Sequence, residues 1–411
     1  MAAELYCTFW IILIVQYKTL VFGSTLNFRK NLDEPIDQDA FRNASQLITS
    51  KGYPCEEHEV HTADGFILGL QRIPNGKSGL ADTNPPVILV QHGLLTSSTC
   101  WLDNLVNESL GYLLADAGFD VWFGNSRGNV YSRKHEKYSP SQREFWDWSW
   151  DEMAKYDLPA TINYILKMTG AEQLYYIGHS QGTEIGFAQF SQDQDLGKKV
   201  KLFIALAPVA FLNNIKSPIR YLMPFISDAE EFLALFGEYD FLPNTNINRW
   251  LAQFICGFKI PEFLCENIFF IFGGFDFKQM NMTRVPVYVA HNPAGTSTFN
   301  IMHYAQSYTS GNFQMRDFGS SEENMKHYNQ TTPPLYDVTK MQTPVALYSG
   351  TSDWLGDPED FARLLPLLRN VRRNKVIEGW EHLDFLWAID GPLECYHDLI
   401  DLIKKDSKKL V

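Results

Sequence analysis

The sequence GHSQG at residues 178–182 contains residue types that could carry out nucleophilic chemistry. The apolar run Leu174–Ile177 before it predicts a strand, and Thr183–Ser191 after it predicts a helix. A Gly-x-Ser-x-Gly segment between a strand and a helix is typical of a sharp elbow that exposes the serine hydroxyl above a sheet. A glycine-rich turn in an ordinary crossover is the alternative interpretation. We predict that Ser180 is a nucleophile.

A serine nucleophile needs a base that takes its proton and a carboxylate that orients this base. In chains with this elbow the order is serine, acid and then histidine. Asp353 follows the predicted strand Val345–Ser349 more closely than Asp357 does. Asp357 stands before a proline, where an aspartate often caps the next helix. We therefore predict Asp353 as the acid.

The base must come from the two histidines, of the ten in the chain, that follow Asp353. His382 lies in a loop just after a predicted strand, whereas His397 lies in an amphipathic terminal segment that predicts a surface helix. We predict His382 as the base. His179 neighbours the nucleophile, but at an elbow its side chain is expected to point away from the side of Ser180.

The oxyanion of a tetrahedral acyl-transfer intermediate needs backbone N–H donors. One donor is the residue after the nucleophile, which here is Gln181. The other is expected in a loop after an earlier strand, and Pro86–Gln91 is such a strand. Gly93 lets the following backbone turn close to a substrate. The amide of Leu94 is therefore the second predicted donor.

These residues need a sheet whose strands end at one edge. A hairpin signal at Asp64-Gly65 and helical periodicity such as that of Asp151–Lys167 accompany the apolar runs. The alternation predicts an α/β fold with a mostly parallel central sheet. The predicted strands are His58–Thr62, Phe66–Arg72, Pro86–Gln91, Asp120–Gly124, Leu174–Ile177, Leu202–Leu206, Val345–Ser349 and Lys375–Ile377.

The alternation stops between Phe211 and Tyr336. This stretch holds 24 aromatic residues in 126 positions (19%), against 34 in the other 285 (12%). An insertion with its own small core explains part of this excess, and a largely helical cap over an apolar binding site would explain the rest. We divide the chain into a signal peptide (1–23), a first core part (24–210), a cap or lid insertion (211–336) and a second core part (337–411).

Residues 1–23 predict a signal peptide, with the apolar stretch Phe9–Val15 before a small-residue cleavage pattern. A membrane anchor is the alternative, but Gln16 and Lys18 interrupt the run before the ~20 apolar residues that a span needs. Four glycosylation sequons agree with the secretory route, and they lie at Asn43, Asn107, Asn281 and Asn329.

The net charge of −13 makes a nucleic-acid partner unsuitable. The chain has no Cys-x-x-Cys or His-Glu-x-x-His sequence, so a metal site has little support, and we expect no cofactor. Removal of the signal leaves five cysteines. Cys256 and Cys265 are close enough in sequence for a local disulfide in an oxidising compartment, and the odd number leaves at least one free thiol.

Several longer strings accompany the serine motif: HGLL (92–95), NSRG (125–128), FWDWSWDEM (145–153), HNPAGTS (291–297) and WEHLDF (380–385). With them the chain resembles the acid lipase family of α/β-hydrolases, which includes gastric and lysosomal acid lipases and many insect digestive lipases. The likeness runs from about Phe41 to Ile403. It implies the Cys256–Cys265 disulfide and a movable lid over an acyl-chain cleft. It also implies the roles given above to Ser180, Asp353, His382, Leu94 and Gln181.

The resemblance predicts a serine lipase that hydrolyses triacylglycerols or cholesteryl esters through an acyl-Ser180 intermediate. Its partner would be a lipid ester at an interface or micelle, with transient contact to a membrane or lipid droplet. We expect the protein in the secretory pathway, either secreted or in the lysosomal lumen. A carboxylesterase for short soluble esters is the first alternative. A non-catalytic lipid-binding homologue is the second, and the complete triad argues against it.

Overall fold

The computed structural model describes residues 37–79, 84–221, 223, 239–243 and 278–408. The predicted signal peptide (1–23) and the pair Cys256 and Cys265 lie outside the described residues. No helix in the described ranges is long and apolar enough to cross a membrane.

The strands of the described residues are β1 Glu56–His61, β2 Phe66–Ile73, β3 Val87–Gln91, β4 Asp120–Gly124, β5 Lys134–His135, β6 Leu174–His179, β7 Val200–Leu206, β8 Asp240–Phe241, β9 Thr296–Ser297, β10 Val345–Gly350 and β11 Val371–Ile377. Nine of them form the main sheet, in the order β1-β2-β4-β3-β6-β7-β10-β11 with β5 paired to β2, and β8 and β9 form a separate pair. Pairing is parallel from β4 to β11, and β2 pairs antiparallel with β1, β4 and β5. All eight predicted strands and the mostly parallel sheet are confirmed.

The central strands are continuous apolar runs because both faces of the sheet are covered. Successive residues of β3 show this directly. Ile88 and Val90 belong to the core on one face, while Val87 and Leu89 belong to the core on the other. The last strand, β11, is an edge strand with mostly exposed or half-buried residues. For this reason, the apolar pattern of the sequence predicts only the last three residues of β11, Lys375–Ile377.

Helices lie between most of the parallel strands. The predicted helix Asp151–Lys167 is a helical stretch from Trp150 to Thr169 that includes a π-helical segment, Met153–Asp157. Gly170 ends it in the left-handed conformation, with φ 72°. Helices of seven or more described residues are α1 Ala44–Ser50, α2 Leu110–Asp116, α3 Leu158–Thr169, α4 Gln181–Gln192, α5 Val285–His291, α6 Thr298–Ser310, α7 Ser321–Tyr328, α8 Pro358–Leu364 and α9 His397–Ser407.

Candidate active site

Ser180 occupies the turn between β6 and α4. Its backbone has φ 53° and ψ −120°, a combination that residues with a side chain rarely adopt. The N–H of Ser180 donates to the carbonyl of Leu206 at 3.1 Å, and the N–H of Thr183 donates to the carbonyl of Ser180 at 2.7 Å. The side chain is half-buried. The predicted strand, elbow and helix are therefore confirmed as local structure.

Two glycines permit this elbow. A Cβ atom on Gly178 would lie 2.6 Å from the carbonyl carbon of Gly182. A Cβ atom on Gly182 would overlap the carbonyl oxygen of Gln91, at the end of β3. Because both neighbouring groups are backbone, they cannot move aside without a shift of β3 or α4. The close approach of these two elements fixes the height of Ser180 above the sheet.

Asp353 and His382 form a hydrogen-bonded pair just beyond the carboxyl ends of β10 and β11. Nδ1 of His382 lies 2.9 Å from Oδ2 and 3.0 Å from Oδ1 of Asp353. Oδ1 also accepts hydrogen bonds from the N–H groups of Leu355 (2.9 Å) and Gly356 (2.7 Å). Asp353 is 1% exposed and His382 is 2% exposed. A carboxylate that accepts from Nδ1–H leaves Nε2 of the imidazole able to take a proton.

The two residues rejected in the sequence analysis have the structural positions that were predicted for them. The Asp357 carboxylate accepts from the N–H of Glu359 at 2.8 Å and so caps α8. It also pairs with Lys216 at 2.9 Å. His397 is exposed at the start of α9.

His179 makes a contact that the sequence did not predict. Its ring lies 4.9 Å from the ring of His382, and its Nε2 is 3.0 Å from the carbonyl oxygen of His382. Burial, with a smaller effect from the neighbouring imidazole of His382, holds the pKa of His179 well below its usual range. The neutral ring can donate from Nε2–H and so fixes the loop that carries His382. The contact joins residues 203 positions apart, which no local pattern could reveal.

The segment after β3 lies against the elbow. A Cβ atom on Gly93 would lie 3.0 Å from Cβ of Ser180. Leu94 is half-buried, and Leu95 has a positive φ of 59°. Gln181 is the first residue of α4, where an N–H has no carbonyl partner within the helix. The chain segments of both predicted oxyanion donors therefore lie beside Ser180.

His92 anchors this segment, and the sequence analysis did not single it out. Its Nε2 accepts from the N–H of Ser126 at 3.0 Å and from the side-chain amide of Asn129 at 3.1 Å. Its Nδ1 must then carry the proton, which it donates to the carbonyl of Gly93 at 2.7 Å. Burial lowers the pKa of His92 to about 4, so this neutral form persists. In the sequence, the position of His92 between the end of a predicted strand and Gly93 could have indicated this role.

Two family models match the chain. The model described as "alpha/beta hydrolase fold" covers residues 86–389, and the one described as "Partial alpha/beta-hydrolase lipase region" covers 44–105. Gastric triacylglycerol lipase of Rattus norvegicus is 48% identical over 97% of this chain and 100% of its own length. Lysosomal acid lipase/cholesteryl ester hydrolase of Homo sapiens is 48% identical over 90% of this chain and 92% of its own.

The chain belongs to the acid lipase family.

As an acid lipase the protein is a carboxylic ester hydrolase, and the predicted α/β-hydrolase fold is confirmed. The gastric and lysosomal names of its relatives agree with the predicted secretory route. A solved candidate lipase from Sulfolobus solfataricus shares the fold at a TM-score of 0.56, with 15% identity over 85% of this chain and 99% of that one. An α/β hydrolase fold protein from Nakamurella multipartita has a TM-score of 0.50, with 14% identity over 84% of this chain and 98% of that one.

The other predicted sites of this acid lipase are placed as follows. The thiols of Cys55, Cys100 and Cys395 are free, and the last two are buried. The described ranges contain no group of three or more His, Cys, Asp or Glu residues arranged to hold a metal ion. Three of the four sequon asparagines are exposed and Asn281 is half-buried; the exposed ones are Asn43, Asn107 and Asn329.

Proposed function

We propose that Ser180, Asp353 and His382 form the catalytic triad of this lipase. The observation that carries the proposal is the buried pair of His382 Nδ1 and Asp353, at 2.9 and 3.0 Å, beyond the same sheet edge as the Ser180 elbow. Burial strengthens the electrostatic effect of the carboxylate on the imidazole. The transfer of a proton from Ser180 Oγ to His382 Nε2 is part of the proposal.

The reaction follows from these roles. His382 Nε2 takes the hydroxyl proton while Ser180 Oγ attacks the ester carbonyl, and the amides of Leu94 and Gln181 donate to the resulting oxyanion. The intermediate expels the alcohol, which receives the proton from His382. Water, deprotonated by the same Nε2, then attacks the acyl-Ser180 ester, and the fatty acid is released as His382 returns the proton to Ser180 Oγ. Asp353 holds the imidazole in the Nδ1–H form throughout and stabilises its positive charge.

The proposed substrates are long-chain acyl esters, either triacylglycerols or cholesteryl esters. The relatives whose names give a substrate act on these two classes. The proposed domain division keeps 211–336 as the cap, whose aromatic content of 24 in 126 residues suits an apolar acyl chain. We propose that the protein contacts a lipid interface or micelle to reach these substrates. We also propose that the signal peptide is cleaved and that Cys256 and Cys265 form a disulfide. The three exposed sequons and Asn281 remain proposed glycosylation sites.

Fatty-acid release from emulsified long-chain triacylglycerol tests the proposal. Ser180→Ala is expected to lose about 10⁶-fold in kcat, as the loss of a serine nucleophile does elsewhere. Ser191→Ala is the matched control, because Ser191 lies at the far end of α4 and donates only to the carbonyl of Ala188. Equal rates for Ser180→Ala and Ser191→Ala would overturn the assignment. Activity restricted to short soluble esters in a chain-length series would instead favour a carboxylesterase.

A further inference from the structure

Three other buried side chains surround the side chain of the proposed oxyanion residue Gln181. Its Oε1 lies 2.8 Å from Nδ2 of Asn300 and 3.1 Å from the hydroxyl of Tyr304, both on α6. The same hydroxyl lies 2.5 Å from Oε2 of Glu184, one turn along α4 from Gln181. Tyr304 is 9% exposed, Gln181 is 2% exposed, and Glu184 and Asn300 are fully buried. Through these contacts, α6 holds the first turn of α4.

The number of protons on these four side chains decides which hydrogen bonds they can form. The hydroxyl of Tyr304 has one hydrogen and lies between two oxygen atoms. If Glu184 were ionised, it would take that hydrogen, and Tyr304 would then face Gln181 Oε1 with lone pairs only. If Glu184 is protonated, its Oε2–H donates to Tyr304, and Tyr304 donates to Gln181. Only the protonated carboxyl gives every oxygen–oxygen contact a hydrogen.

The surroundings of Glu184 favour the same state. Burial raises the pKa of its carboxyl to about 8, and the nearby carboxyl of Asp151 acts in the same direction. Burial also raises the pKa of Asp151, to about 6, and that of Glu152 beside it. From α6, His303 is neutral because burial lowers its pKa to about 3.

Arg316, which acts on the neighbouring carboxyl of Asp151, makes its polar contacts with residues other than Glu184. Its backbone N–H donates to Asp151 and its guanidinium pairs with Asp147. Lys155 lowers the pKa of Asp151 less than Arg316 does. No ion pair joins Glu184 to a lysine or arginine among the described residues. The carboxyl therefore lacks the partner that a buried charge requires.

We propose that protonated Glu184, acting through Tyr304, is a positioning residue that holds Gln181 for oxyanion binding, and that ionisation of Glu184 releases Gln181 and lowers kcat. This inference rests on the proposed function of Gln181. Because the carboxyl is neutral below its pKa, the positioning is complete at acid and neutral pH and is lost as the pH rises through about 8. Loss of a whole oxyanion donor costs about 10²- to 10³-fold in kcat. Displacement of one donor is expected to cost about tenfold.

The test is the pH dependence of kcat and KM on a soluble p-nitrophenyl ester, from about pH 5 to about pH 10. The wild type is expected to lose about tenfold in kcat through an apparent pKa near 8, with little change in KM. Glu184→Gln keeps an N–H donor to Tyr304 at every pH, so its alkaline loss should disappear. Tyr304→Phe breaks the relay and should show the lowered kcat at every pH. Glu152→Gln, which alters a half-buried carboxyl on a neighbouring element, should keep the wild-type profile.

Infrared spectroscopy of the wild type gives a readout that does not depend on catalysis. One carboxylic acid C=O band of the wild type should be lost both when the pH passes about 8 and, at neutral pH, in Glu184→Gln. An unchanged alkaline loss in Glu184→Gln would overturn the inference, as would the absence of that band from the wild type. Labelling of Ser180 by a fluorophosphonate separates the two proposals. Failure to label refutes the proposed function, whereas normal labelling with a wild-type profile in Glu184→Gln refutes only the role of Glu184.

Discussion

Asp353→Asn should abolish most of the activity without disturbing the fold, and the hydrogen bonds around the carboxylate explain why. Oδ1 accepts from the N–H groups of Leu355 and Gly356, at 2.9 and 2.7 Å. The amide oxygen of an asparagine must take this position, because an NH₂ group there would face two donors. The NH₂ group then takes the place of Oδ2 and points at Nδ1 of His382, 2.9 Å away.

The substitution therefore forces His382 into the wrong tautomer. Nδ1 must accept from the new NH₂ group, so the proton moves to Nε2, which can no longer take the proton of Ser180. The same change in another serine hydrolase lowers kcat about 10⁴-fold. At about 1.36 kcal/mol for each factor of ten, this corresponds to about 5.4 kcal/mol of lost transition-state stabilisation. We expect a decrease of this size, with KM nearly unchanged.

The assay is hydrolysis of a soluble p-nitrophenyl ester at neutral pH, with thermal melting to monitor the fold. Asp357→Asn is the matched control, because it makes the same chemical change in a residue that caps α8. Asparagine caps a helix about as well as aspartate does. If Asp353→Asn kept more than about a tenth of the wild-type kcat, the proposed tautomer control would be refuted.

Three further predictions concern the framework. Gly182→Ala places a Cβ atom against the Gln91 carbonyl and should cost about 3 kcal/mol in urea unfolding, whereas Gly170→Ala, in open space at φ 72°, should cost only about 1 kcal/mol. Arg127→Met leaves the carboxylates of Asp64 and Asp157 without their shared partner and should destabilise the fold by about 3–5 kcal/mol. Arg42→Met should cost less than about 1 kcal/mol, because its partner Asp39 keeps ion pairs with Lys51 and Arg284. Burial lowers the pKa of His92 in the folded protein to about 4, below its usual 6.5. Its contribution to the free energy of unfolding is therefore complete above pH 6.5 and decreases by about 3 kcal/mol as the pH falls to about 4. In urea unfolding His92→Gln should lose less stability than the wild type over that range, and equal losses would contradict the assignment.

The sheet was predictable because the central strands contain continuous apolar runs between turns, as Leu174–Ile177 shows with all four residues buried. The three proposed triad residues could be predicted from the sequence for a related reason. The carboxyl ends of parallel strands share one sheet edge, so chain order and distance from a strand end select Asp353 and His382. The short pair β8 and β9 had no such pattern, since two residues cannot show a period.

The supporting contacts could not be predicted because they join distant parts of the chain. His179 and His382 are separated by 203 positions, and Glu184 and Tyr304 by 120. Each of these residues also has an unremarkable local setting, since His179 ends a strand and Glu184 lies within a helix. Only the folded packing reveals that His179 fixes the loop of the proposed base and that Glu184 contacts α6, a helix within the proposed cap.

The acyl-Ser180 intermediate is the central claim, and a burst experiment with mass spectrometry tests it most directly. The protein is mixed with excess p-nitrophenyl ester, quenched in acid during the burst and digested. We predict about one equivalent of p-nitrophenol in the burst and an acyl group on the peptide that contains Ser180. The claim would be contradicted if the quenched wild-type protein carried its acyl group on another residue. An undiminished burst in Ser180→Ala protein would contradict it as well.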